Sequence, residues 1–399
     1  MTTPCLLALN GGSSSIRFAL YEVGASLRRV LDGKVERIGM AGTTLAFEDK
    51  AGAHHGSVAV PATDFDGAVD FLLDWLEVRK VFATLAGVGH RVVHGMAHSE
   101  PALVDAALLD ELKRITPYDP DHLPGERALM QAILVRHPQL PQVACFDTAF
   151  HRSMPAVARM LPIPRRYAAQ GVERYGFHGL SYAYLMEELA CLGDPAAARG
   201  RVILAHLGNG ASLAAVRDGA SIDTSMGFTP AAGLVMSTRS GDIDPGLVLY
   251  LARTGKMSAQ QFQHMANHES GLLGVSETSS DLRDLLAHEG DDPRAAQAVE
   301  LFCYQARKWI GAYAAALGGL DTLVFAGGIG ENAAVVRERI CAELGFLGIV
   351  LDPARNARHA ELISADGGPV RVRVIRTDEE QMVARGVARL LGLAGPGPA

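Results

Sequence analysis

The stretch LALNGGSSSIRFALYEV, residues 7–23, runs apolar as far as Leu9, breaks at Asn10-Gly11-Gly12-Ser13-Ser14-Ser15, and resumes as an alternating apolar pattern. Two such runs flanking a glycine-rich break read as strands joined by a turn. The turn is bare: glycines let a backbone approach an anion closely, and Ser13 and Ser15 add hydroxyl donors. A second stretch repeats the design. In VILAHLGNGASLAAVRDGASIDTSMG, residues 202–227, an apolar strand meets Gly208-Asn209-Gly210, an alternating strand follows, and Asp218-Gly219 gives a hairpin signal. Two like halves are implied.

Between and after these copies lie AGVGHRVVHG and QVACFDTAFH, short apolar strands ending in charge, and helical periodicity over SYAYLMEELACLG and residues 295–320. DTLVFAGGIGENAAVVRERICAELG reads as strand, glycine turn, helix. Strands interleaved with helices make the chain α/β. The expected division is a first domain of residues 1–150 plus 379–399 and a second of residues 151–378.

Composition narrows the partners. The 399 residues are 48% hydrophobic and 20% charged, as in a folded protein long enough for two domains. A net charge of -7 without Lys/Arg runs gives no footprint for nucleic acid or an acidic membrane, so a small ligand is expected. Five cysteines without C-x-x-C spacing read as buried thiols of a reducing cytoplasm. The start lacks a charged, then apolar leader, and no window has the roughly 20 apolar residues of a membrane span. The ending GLAGPGPA reads as a frayed tail.

Polar residues at the ends of apolar segments are the candidate chemistry: Arg91, Asp147, His178, and Arg239 with Asp242 and Asp244. Each has a plain structural role open to it. Asp147 can cap the following helix, Arg239 can pair with Asp242, and His178 can be a satisfied core histidine. GIGENA, Gly328 to Ala333, also fits G-x-G-x-x-A, with Asp352 at the distance of a ribose-binding acid, which keeps an NAD-dependent dehydrogenase open.

The segments LNGGSSSIRF, GHRVVHG, FDTAFH, YGFHG, HLGNGAS, TSMGFTP, TRSGDIDP, FAGGIGEN and TDEE, from residue 9 to residue 380, resemble the acetate kinase family in order and spacing. The resemblance implies a duplicated ribonuclease-H-like fold of the actin-like ATPase type, with a nucleotide cleft between two domains, and a homodimer. It implies Mg2+ near Asn10 and Glu379, with Arg91 and Arg239 on the carboxylate and the transferring phosphoryl group, and Asp147 and His178 completing the catalytic set. ATP or ADP would be held by Ser13, Ser15, Arg17, His206, Gly208, Asn209, Gly210, Asp281, Leu282, Arg283, Gly328, Ile329, Gly330 and Asn332. Val93, Leu123, Phe177 and Pro230 match the family's apolar pocket for the alkyl end of the acid.

The implied reaction is reversible, direct transfer from Mg-ATP to acetate or propionate, giving an acyl phosphate. Phosphoryl transfer asks for positioning and cationic stabilisation, which arginines, a histidine and Mg2+ supply. A carboxylate is already ionised near neutral pH and needs no general base, whereas a sugar hydroxyl does. Asp147 therefore has two open roles, orienting arginine or metal, or accepting a hydroxyl proton in a sugar kinase. A non-enzymatic ATP clamp also stays open. Departures from the family pattern gather near the acid: Tyr182 for a second histidine, the loop PYDPDHLPGE with Asp119 and Asp121, and Ala231-Ala232.

Overall fold

The computed structural model describes residues 3–12, 14–50 and 54–393, with the side chains of residues 195 and 196 excepted. Ser13 and the end of the tail, residues 394–399, lie outside the described residues. The chain forms two compact units, residues 1–149 with 378–399 and residues 150–377.

The first unit holds an eight-stranded sheet of order β5-β4-β3-β2-β1-β6-β8-β7. Its strands are β1 (Cys5–Gly11), β2 (Ile16–Val23), β3 (Leu27–Glu36), β4 (Thr44–Asp49), β5 (His54–Ala59), β6 (Leu85–Val92), β7 (Ala102–Leu103) and β8 (Gln142–Phe146). β1, β2 and β3 pair antiparallel, and β6 and β8 continue from β1 in parallel. Both faces of β1 are covered, so its apolar run is continuous rather than alternating. Leu7 and Leu9 pack with Leu72, Leu73 and Leu76 of the helix Phe65–Val78. On the other face the helix Glu379–Leu390 sits on the backbone of β6, where a Cβ added at Gly89 would stand 2.4 Å from a Val383 methyl group.

The second unit repeats the central plan. Its five-stranded sheet has the order β11-β10-β9-β12-β13, made of β9 (Arg201–Leu207), β10 (Ala211–Arg217), β11 (Ala220–Thr224), β12 (Thr322–Ala326) and β13 (Arg371–Val374). Three antiparallel strands are again followed by two parallel ones. β10 and β11 meet at Asp218-Gly219 with φ of 53° and 79°, the two positive values of a type I′ turn. Tyr182, Leu185 and Leu189 of the helix Gly179–Cys191 pack on Val202, Leu204, Ala214 and Val216.

Three local expectations change. The helix read over residues 295–320 spans Pro293–Leu317, because Asp292 caps its start and Gly318, at φ 70°, ends it in a left-handed turn. The glycine turn after β12 is itself helical, over Gly327–Asn332, entered through Gly327 at φ 75°. Of the five unpaired cysteines four are buried, but Cys191 is exposed at the end of its helix.

Gly89 is the position where this packing is least forgiving. A Gly89→Ala substitution forces the helix Glu379–Leu390 outward and is expected to lower unfolding stability by about 1–3 kcal/mol. An unchanged urea midpoint in the purified variant contradicts the close approach of that helix.

Candidate active site

In the first unit the carboxyl ends of adjacent strands bring four sequence candidates together. Asn10 lies near the end of β1, Arg91 near the end of β6, Asp147 just past β8, and Glu379 at the first turn of the C-terminal helix. Asp147 Oδ2 accepts from Arg91 Nε at 3.0 Å and from Nη2 at 2.5 Å. Arg91 Nη1 donates to Asn10 Oδ1 at 3.4 Å, and Asn10 Nδ2 donates to Glu379 Oε2 at 3.4 Å. The four form one hydrogen-bonded chain.

The charges in this chain shift one another. Burial alone would discharge Arg91, but Asp147 and then Glu379 and Glu126 raise its pKa and keep it cationic. Burial, followed by the charge of Asp147, pushes the Glu379 carboxyl up to about 7. Asp147 Oδ1 is buried and has no hydrogen-bond partner among the described residues. Asp147 is thus no helix cap: its carboxylate serves Arg91, because a buried guanidinium requires a counter-charge.

Glu126 is the residue of this cluster that sequence reading missed. It is 2% exposed, and Val93 N donates to its two oxygens at 3.1 and 3.2 Å. Burial drives its pKa well above the usual carboxylate range, against the pull of Arg91. Nearby, His122 Nδ1 lies 2.8 Å from Asp119 Oδ1. Burial would raise Asp119, but its hydrogen bond to His122 and the charges of His122 and Arg91 hold it low. Val93 is buried, and Leu123 lies in the core with Leu108, Leu112 and Phe146. Leu123 is fully enclosed by these apolar neighbours. Ser15 closes the first turn, its carbonyl accepting from Gly12 N at 2.8 Å, and Arg17, opposite Asn10 across the hairpin, is exposed.

The second unit gathers a different set. His178 precedes the helix Gly179–Cys191 at φ 61°, and its Nδ1 lies 2.8 Å from Ser212 Oγ, which the Tyr182 hydroxyl also meets. The His178 ring stacks on His206, centroids 4.2 Å apart. His206 Nδ1 lies 2.8 Å from Ser181 Oγ, which in turn meets Thr377 Oγ1 at 2.8 Å. A Cβ added at Gly210 would stand 3.2 Å from both His178 Nε2 and Arg239 Nη2, so both groups converge on that turn. Arg239 Nη1 donates to Pro230 O at 2.7 Å, while Asp242 Oδ1 accepts from Gly233 N. Phe177 is buried, its carbonyl 3.0 Å from His151 Nε2.

The remaining candidates flank this turn. Gly208 N donates to Gly210 O at 3.0 Å, Asn209 is exposed, and Gly208 approaches Gly328 N. Gly328, Ile329, Gly330 and Asn332 belong to the short helix after β12. Asp281 caps the helix Leu282–His288, whose Leu282 is buried, and pairs with the exposed Arg283. Asp352 caps the helix Pro353–Ala357, with Oδ1 taking Arg355 N at 2.9 Å, so it does not play a ribose acid's part here.

Two sheets that share a run of three antiparallel strands followed by two parallel ones, extended in the first by β4, β5 and β7, define the duplicated ribonuclease-H-like fold of actin-like ATPases and kinases. The sequence model of the Acetokinase family matches residues 5–385. An acetate kinase of Rhodopseudomonas palustris is 44% identical over 96% of this chain and 98% of its own length. A propionate kinase of Citrobacter rodentium is also 44% identical, over 96% of each chain. Among solved structures, a propionate kinase from Francisella tularensis has a TM-score of 0.89 at 36% identity, covering 96% of this chain and 98% of that one. The chain belongs to the acetokinase family.

The Arg91–Asp147 pair gives a direct stability test. Asp147→Ala leaves a buried guanidinium without its counter-charge and is expected to cost about 3–5 kcal/mol. A urea midpoint equal to that of the unmodified protein contradicts this pairing.

Proposed function

We propose that the protein is a short-chain carboxylate kinase, transferring the γ-phosphoryl group of Mg-ATP directly and reversibly to acetate or propionate. Asp147 carries the choice of acceptor: its Oδ2 takes both Nε and Nη2 of Arg91, the contact of an arginine-orienting carboxylate. A sugar hydroxyl would call on that group as a base, whereas an ionised acid needs none. Family membership brings ATP and ADP, which sets aside the dehydrogenase reading, and relatives that are kinases, which sets aside the non-enzymatic clamp.

In this reading Arg91 binds the acid's carboxylate through the donors that Asp147 leaves available. Arg239 and His178, converging at Gly210, stabilise the equatorial oxygens of the phosphoryl group in transit. His206, Gly208, Asn209 and Gly210 line the ATP phosphates, while Asp281, Arg283 and the helix Gly327–Asn332 hold adenosine. The donor set near Asn10 suits Mg2+: no group of three His, Cys, Asp or Glu able to hold a metal occurs among the described residues, and Mg2+ typically uses one or two carboxylates plus water and substrate phosphate. Asn10, Glu379 and the unpartnered Asp147 Oδ1 are the oxygens to hold it. Bound there, Mg2+ would neutralise charge on the ATP phosphates.

The homodimer has its own support. No residue of the helix Gly246–Thr254 is buried, although Leu247, Val248, Leu249 and Tyr250 lie along it, with Tyr250 61% exposed. Apolar surface of this kind marks an interaction face. We place the enzyme in the reducing cytoplasm, in keeping with five unpaired cysteines and with the absence of a membrane-length apolar helix among the described residues.

The deciding experiment is hydroxylamine trapping of acyl phosphate with Mg-ATP across acetate, propionate and butyrate, alongside ADP release with glycerol and hexoses. Hydroxamate from the acids is expected; ADP release with a polyol alone overturns the reading. Arg239→Ala is expected to lower kcat by about two to three orders of magnitude with the fold intact, as for loss of a transition-state donor. Near-normal turnover removes Arg239 from its role. Leu249→Glu with Tyr250→Glu is expected to give monomers by light scattering, and an unchanged dimer mass excludes that helix as the interface.

A further inference from the structure

The helix Gly327–Asn332 is one that its own sequence does not stabilise. Three of its six residues are glycine, a poor helix former, and six residues are too few to sustain a helix alone. The carbonyls of residues 328 to 331 are nonetheless taken. Gly328 O accepts from Asn332 Nδ2 and Ile329 O from Ala333 N, each at 2.9 Å. Gly330 O and Glu331 O both accept from Arg337 Nη1, at 2.8 and 3.0 Å.

Arg337 is fully buried. Its other donors reach a second element: Nε donates to Asn356 Oδ1 at 2.9 Å, and Nη2 to Asn356 O at 2.9 Å and His359 Nδ1 at 3.1 Å. Asn356 belongs to the helix Pro353–Ala357 and is itself tied to Ala334 O. No carboxylate lies within ion-pair distance of Arg337 among the described residues. Burial lowers its pKa to about 10, which leaves it charged at neutral pH. A guanidinium buried without a counter-charge is unfavourable, and an apolar residue fills the same space more cheaply. What only arginine supplies is a rigid fork of donors able to hold two helices in one fixed relation.

We propose that Arg337 is a positioning residue for the nucleotide: it fixes the glycine-rich helix Gly327–Asn332 against the helix Pro353–Ala357, so that Gly328, Ile329, Gly330 and Asn332 meet adenosine in one orientation. This rests on the reading of those four residues as part of the ATP site. A purely structural role has a different kinetic signature. Loss of folded enzyme lowers apparent kcat and leaves both KM values alone, whereas a displaced helix raises the KM for ATP and spares that for the acid.

The test is Arg337→Lys, with Asn356→Ala as a second variant that keeps the arginine but frees its far end. ADP affinity is read by calorimetry, and KM for ATP and for acetate by hydroxamate formation. The expected result is a rise of about tenfold or more in ADP Kd and KM for ATP in Arg337→Lys, with KM for acetate within about threefold. Asn356→Ala should give a smaller rise in the same two quantities, and it carries the test if Arg337→Lys does not fold. Unshifted ADP affinity in folded variants overturns the positioning role alone. An unmodified protein that binds no ADP overturns the nucleotide reading with it.

Discussion

Both faces of the central strands are covered, and this constraint decides where chemistry can sit. Leu6 to Leu9 and Val202 to Ala205 are closed to solvent, so a polar side chain within those runs would lose water without a replacement partner. In β1 and β9 the polar side chains stand where the apolar runs end. Asn10 is the next-to-last residue of β1, Arg91 of β6, and His206 of β9. The carboxyl ends of parallel strands are the usual ligand edge of open α/β sheets, and each unit of this acetokinase-family chain gathers polar side chains there.

The two edges are not electrostatic copies. In the first unit the largely buried Arg91 pairs with Asp147, which leaves that couple close to neutral. The carboxyls behind it then set what an approaching anion experiences. An ionised Glu126 would make the surroundings of Arg91 net negative and repel an acid. Burial raises its pKa, which shifts Glu126 toward the neutral carboxyl and lessens that repulsion. The second unit assembles Arg239, His178 and His206 around the Gly208–Gly210 turn, a set with no carboxylate among its named members. The polar groups therefore differ between the units, with a carboxylate-paired arginine in one and an arginine with two imidazoles in the other.

Most of this was legible in the sequence because it follows local rules. The apolar runs around Gly12 and Gly208, the hairpin at Asp218-Gly219 and the helix near residue 300 each carry their own signal of period or turn chemistry. Arg91, Asp147, His178 and Arg239 were readable as charges stranded at the ends of apolar segments. Glu126 was not, because an acid in the first turn of a helix looks like an ordinary exposed favourable residue. Only the tertiary packing that buries it reveals otherwise. Leu123 illustrates the opposite ambiguity: a leucine beside a polar loop suits a pocket wall as well as a core, and here it packs with Leu108, Leu112 and Phe146. Asp147 as a cap and Asp352 as a ribose acid were local readings of residues whose partners are set, respectively, by a distant strand and by the next turn of chain.

The bare turns have distinct physical reasons for their glycines. Gly327 adopts φ 75°, where any side chain is strained and where a Cβ would stand 2.7 Å from Leu207 O. Gly210 has no such backbone requirement, yet a Cβ there would press on His178 Nε2 and Arg239 Nη2. Gly328 has neither constraint: its φ is not positive, and nothing lies within 4 Å of where a Cβ would be. Gly328 is thus a glycine that neither conformation nor packing demands, next to Gly327, which both demand. The three glycines together thus separate a backbone requirement at Gly327, a packing requirement at Gly210 and neither at Gly328.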